Sequence, residues 1–95
     1  MMNENEYKSA LGKLIKHQRV KKQLSQEDYA AHVNLHRTYV GAIERGEKNL
    51  SFDNILKIAQ SFDMTLSQLF KKAEQLGPKP DGVNGLKAGR KPRGN

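Results

Sequence analysis

Residues 26–45, QEDYAAHVNLHRTYVGAIER, decide how this chain folds. Ser25 stands ahead of the stretch as a helix N-cap, and Glu27 and Asp28 fall in the first turn, where acidic groups suit the positive end of a helix. Tyr29, Val33, Leu35, Val40 and Ile43 share one core only if the chain turns sharply between Val33 and His36. Asn34 occupies the first turn position, and Asn is the non-glycine residue best suited to a positive φ. Ala30 is the small residue needed where two helices meet steeply. All these demands are met at one register. They predict a helix near 26–33, a short turn beginning at Asn34, and a second helix near 36–45 ended by a left-handed Gly46.

Working outward, helical spacing continues on both sides. Leu11, Leu14 and Ile15 lie on one face of a first helix near 7–22. Ser51 caps a fourth helix near 52–62, with Phe52, Ile55, Leu56, Ile58, Ala59 and Phe62 as its apolar set. Thr65 and Gln68 have capping-box spacing and open a fifth helix near 66–76, striped by Leu66, Leu69, Phe70, Ala73 and Leu76. The expected fold is all-α, five short helices in a domain spanning residues 1–76.

The chain has 95 residues, 17 Lys or Arg against 10 Asp or Glu, and a net charge of +7. That length suits one small domain, and a 36% apolar content gives it a modest core. No apolar run approaches the roughly 18 residues of a membrane-spanning helix, and residues 1–7 lack signal-peptide layout, so a soluble protein is expected. The sequence has no cysteine, which excludes a disulfide scaffold. Residues 77–95 carry five of the eight Gly, all three Pro, and Lys79, Lys87, Arg90, Lys91 and Arg93 against the single acid Asp81. So few apolar side chains cannot offset the entropy of ordering, and a disordered basic C-terminal tail is expected. Such a tail either adds salt-sensitive phosphate affinity or is a neutral extension, and its composition favours the latter.

Leu24 to Ala30, Arg37 to Gly46, Asn49 to Ser51, and Leu69 with Phe70 together resemble the Cro/C1-type (XRE) helix-turn-helix family of phage and bacterial repressors. The resemblance covers residues 11–70. Within it, the run from Asn34 to Tyr39 and the triplet Ile43, Glu44, Arg45 are most similar to controller proteins of restriction–modification systems. The resemblance implies a repressor-like domain that binds double-stranded DNA as a homodimer, regulates transcription and needs no cofactor. The helix over 36–45 becomes the recognition helix, with base contacts from Arg37, Thr38, Tyr39 and Ala42. Arg37 has the fork of donors that matches O6 and N7 of guanine. Gln26, His36, Arg45, Lys48 and Asn49 are the expected phosphate ligands. Arg19 and Glu44 are expected to form a structural salt bridge. Phe70, Ala73 and Leu76 continue the last stripe beyond the core and are the expected dimer interface.

His32 and His36 have four-residue spacing, but the turn at Asn34 and Leu35 separates them, and no ligand set for a metal accompanies them. No phosphate loop, metalloprotease motif or nucleophile elbow is present, so no catalytic residue and no enzyme activity is expected. The implied setting is a bacterial or phage-encoded cytoplasmic protein associated with the nucleoid, and RNA polymerase is a further contact such a role allows. Two alternatives stand beside it: an antitoxin-like autoregulator that also binds a partner protein, and a protein-interaction module without specific DNA binding.

Overall fold

Capping chemistry at each N-terminus sets where the helices begin. The computed structural model describes residues 1–79, with helices α1 (Glu4–Lys21), α2 (Gln26–Val33), α3 (Arg37–Glu44), α4 (Phe52–Ser61) and α5 (Leu66–Leu76). Ser25, Ser51 and Thr65 each accept a hydrogen bond from the backbone N–H three residues on, as their sequence context predicts. The C-terminal side of the two-helix motif also follows the prediction: Asn34 lies at φ 57°, ψ 48°, and Gly46 at φ 75°. Beyond Lys79, the expected tail lies outside the described residues.

The largest departure is at the N-terminus. Instead of starting near residue 7, α1 begins at Glu4, because Asn3 and Glu6 close a reciprocal capping box. Tyr7 now lies within the helix, and its ring meets Phe70 edge-on at 6.5 Å between centroids. Its hydroxyl donates to the Glu74 carboxylate, and that bond raises the phenol's pKa above its ordinary value.

This contact shares the surface expected for the dimer interface. Of those three residues, α1 of the same chain buries Ala73 fully and leaves Phe70 and Leu76 half-buried against the core. Lys13 on α1 closes the end of α5 by donating to the carbonyls of Leu76 and Lys79. The apolar residues left outside are elsewhere. Phe52 is 66% and Leu56 36% exposed, although the fourth helix was expected to bury both.

Leu11, Leu14 and Ile15 of α1, Tyr29 and Val33 of α2, Val40 and Ile43 of α3, Ile58 and Phe62 on and after α4, and Leu69 of α5 build one core. Tyr29 stacks on Phe62 with ring centroids 5.2 Å apart. Its hydroxyl lies 2.7 Å from Ser61 Oγ, which itself donates to the Ile58 carbonyl. The single Ser61 proton is thereby used, so Tyr29 is the donor to Ser61. At Gly12, α1 runs so close to the end of α3 that a Cβ there would stand 2.3 Å from the Ile43 carbonyl oxygen. The recognition-helix candidate is thus seated directly on α1.

Candidate DNA-binding interface

The turn after α2 aims α3 outward. Leu35 N–H returns to the Ala30 carbonyl at 2.8 Å, closing α2 over its left-handed Asn34. His36 then caps α3, its Nδ1 accepting from Thr38 N–H at 3.1 Å. That bond fixes a ring form with Nδ1 unprotonated and leaves Nε2 to face outward as a donor. One face of α3 and the N-terminus of α2 border an open hollow of about 410 Å³, lined by Ser25, Gln26, Glu27, Arg37, Thr38, Gly41 and Arg45.

Of the expected base readers, the structure brings Arg37 and Thr38 to this hollow, both exposed. Tyr39 turns the other way. It is half-buried, and its hydroxyl accepts from Asn54 Nδ2 at 3.2 Å and lies 3.5 Å from the Asn49 carbonyl. Ala42 is only 5% exposed, and this corrects its place among the readers: at that position on α3 a methyl faces inward. Gly41, also buried, lies beneath side chains that border the hollow. A Cβ there would meet Arg45 Nη1 at 3.3 Å and Gln26 Oε1 at 3.5 Å. Glycine thus leaves room for two donor side chains to close over the helix.

The expected phosphate ligands divide in the same way. Gln26 and Arg45 border the hollow, His36 stands at the start of α3, and Lys48 and Asn49 are exposed in the following loop without lining it. Gln26 has a second task, since its Nε2 donates to Glu44 Oε1 at 2.9 Å. Glu44 also receives Arg19 Nε at 2.7 Å and Arg19 Nη2 at 3.1 Å, while Arg19 Nη1 reaches the Leu24 carbonyl at 2.7 Å. The side chains of this pair are 10% and 3% exposed, and they fasten α1 to the end of α3.

Two further acids face the arginines. Glu27 Oε1 lies 3.9 Å from Arg37 Nη1. Glu47 takes Arg45 in a fork, with Oε2 2.9 Å from Nε and Oε1 3.3 Å from Nη2. This hydrogen-bonded pair raises the Arg45 pKa and holds the Glu47 carboxyl below its ordinary value. Glu47 stood outside the expected site residues, although its place two residues after Arg45, across a left-handed glycine, is a signal that the chain doubles back. Among the described residues no group of three His, Asp or Glu could hold a metal ion.

A helix-turn-helix family model matches residues 15–69, the segment that holds α2, α3 and most of the core. The chain belongs to the helix-turn-helix family. Among members of this family, control protein C.MunI of Mycoplasma is 43% identical over 72 residues, covering 75% of this chain and 97% of that protein. Control protein C.BamHI of Bacillus amyloliquefaciens is 51% identical over 41 residues, covering 43% of this chain and 51% of its own length. The crystal structure of the restriction–modification controller protein C.AhdI from Aeromonas hydrophila superposes with a TM-score of 0.60 at 40% identity, over 65% of this chain and 94% of that one. The controller protein C.Esp1396I, solved as a tetramer in complex with its natural 35 base-pair operator, matches at a TM-score of 0.65 and 30% identity, over 74% of this chain and 92% of that one. These relatives are control proteins, one of them solved on its operator, and the fold of this chain matches the solved ones.

Proposed function

We propose that this chain is a sequence-specific DNA-binding regulator of transcription, a controller of a restriction–modification operon, acting as a homodimer on a near-palindromic operator. The observation that carries this reading is the hollow beside α3. Arg37 and Thr38 project at the N-terminal end of a helix that Arg19, Glu44 and Gln26 hold to the scaffold. The first turn of such a helix, set in the major groove, meets base edges. Arg37 donates to O6 and N7 of a guanine, a pairing worth about 1–3 kcal/mol in discrimination. Thr38 bonds a base or packs on a thymine methyl. Gln26 and Arg45 hold phosphates at either side, and His36 Nε2 and Lys48 extend that hold along the strand.

The dimer forms through α4. Phe52 and Leu56 lie one turn apart on the same face, exposed, with Ile55 half-buried beside them. A twofold axis on this face lets each copy cover the other's phenyl ring, the self-complementary arrangement of an isologous contact. It carries two recognition helices to successive major-groove faces about 34 Å apart. The regulator acts in the cytoplasm where its operator is, without a cofactor or catalytic group, and the distance from operator to promoter decides whether polymerase is blocked or recruited.

Selection of sites from a random duplex pool at near-physiological salt tests this reading, with Arg37→Ala carried in parallel. A palindromic consensus is expected, with one guanine in each half-site losing its preference in the variant. Duplexes recovered without enrichment, at concentrations that still shift DNA, would leave only electrostatic attachment and refute the proposal.

A further inference from the structure

Two arginine–glutamate forks flank the end of α3, and they differ in kind. Arg19 and Glu44 are buried and join two helices. Arg45 and Glu47 lie two residues apart in one turn, join nothing, and are 59% and 55% exposed. A pair of that kind adds little to stability. Its geometry is nevertheless held in place: Gly46 at φ 75° reverses the chain, and Glu47 N–H is fixed on the Ala42 carbonyl at 3.0 Å. The carboxylate is thus delivered to Arg45 by the backbone.

Arg45 borders the hollow beside Arg37 and Thr38, and it borders a second one with Ser9, Lys13, Lys16 and Lys79. It is the cation shared by both, central to the surface that would meet DNA. The guanidinium fork fits a carboxylate and a phosphate alike, each through two parallel hydrogen bonds. Carboxylate and phosphate therefore compete for the same donors. Once displaced, Glu47 remains a negative charge beside the strand.

We propose that Glu47 sets the DNA affinity of this chain, occupying Arg45 until a phosphate displaces it. The inference rests on the DNA-binding reading above. It gives Glu47 a role opposite to that of Glu44: one holds an arginine for the fold, the other withholds an arginine from the ligand. Because a phosphate is present on every sequence, the effect falls on operator and non-operator DNA together and sets the concentration at which sites fill.

The test is a titration of the full chain and its Glu47→Gln variant against operator and scrambled duplexes at several salt concentrations. Glu4→Gln, outside both hollows, serves as a control for net charge. Glu47→Gln is expected to tighten binding about threefold per protomer, or about tenfold for a dimer, the range of an exposed ion pair. The slope of log affinity against log salt should steepen by up to about 0.9 for each Arg45 released. Weaker binding by the variant would show that Glu47 orients Arg45 for phosphate, and would overturn the inference. So would unchanged affinity and slope, or an equal gain in Glu4→Gln. If the unmodified chain does not prefer operator over scrambled duplex, the DNA-regulator reading itself fails. An operator preference with an unchanged variant removes only the role of Glu47. Matching thermal melts exclude a folding defect, which a side chain this exposed does not produce.

Discussion

Replacing Arg19 by Met keeps the bulk of a long side chain at the joint between α1 and α3 and removes three hydrogen bonds. Two of these go to Glu44 and one to the Leu24 carbonyl. The Glu44 carboxylate, only 3% exposed, is left with the Gln26 amide as a donor. Breaking a buried pair in this way costs about 3–5 kcal/mol, because an uncompensated charge stays inside. A small domain has roughly 5–15 kcal/mol in total, so the variant should sit close to unfolding at room temperature. Replacing both members, Arg19→Met with Glu44→Leu, removes the stranded charge. The remaining loss is then the orphaned Leu24 carbonyl, about 1 kcal/mol, since exposed Gln26 turns to water. Urea unfolding followed by circular dichroism reads these differences. With a slope of about 1.5 kcal/mol per molar, the single variant should lower the midpoint by roughly 2–3 M and the double variant by less than about 1 M. A double variant no more stable than the single one would refute the reasoning, as would a single variant that loses less than about 1 kcal/mol.

Other outcomes follow from the same structure. Gly12→Ala gains about 1 kcal/mol of helix propensity, but it drives a methyl into the Ile43 and Glu44 carbonyls, for which overpacking costs about 1–3 kcal/mol. A lowered melting temperature is expected, and a raised one would show that α1 can shift away from α3. Phe52→Glu places a charge on the apolar α4 face and should yield a folded monomer by sedimentation, whereas Phe70→Leu should leave the dimer intact. Burial pushes the Tyr29 phenol up to about 12, above its ordinary value of 10.0. The folded state thus favours neutral Tyr29, so stability is intact below pH 10 and falls as the pH rises toward 12, because the unfolded chain ionises first. Alkaline unfolding of Tyr29→Phe should be displaced upward relative to the parent, and coincident curves would count against this.

The parts legible from sequence are those determined within a few residues. Ser25, Ser51 and Thr65 cap because their side chains reach a backbone N–H three positions on, and Asn34 turns because of its own φ preference. The pairing of Arg19 with Glu44, 25 positions apart, came from the family resemblance, since no local rule links such residues. The start of α1 shows how a local signal is overlooked: the Asn3–Glu6 box lies ahead of the apolar stripe that marks the helix, and it adds a turn there. Phe52 and Leu56 failed for a different reason: apolar spacing marks which residues share a face, and it does not say whether that face meets its own chain or another. At the DNA surface, Arg37 and Thr38 follow from the register of the turn, while Ala42 and Tyr39 point toward the protein by a rotation along α3 that residue types alone do not specify.

The seat of α3 has a consequence for the other molecule in the complex. With Gly12 against its last carbonyls and the Arg19–Glu44 fork beside them, this helix is held tightly to α1. When half-site spacing or groove width does not match two helices set at a constant separation, the duplex supplies the adjustment. Bending or narrowing it depends on base steps that no side chain touches. Operators sharing the same contacted bases but differing in the stiffness of their central steps should therefore be ranked by this protein according to how readily the DNA bends.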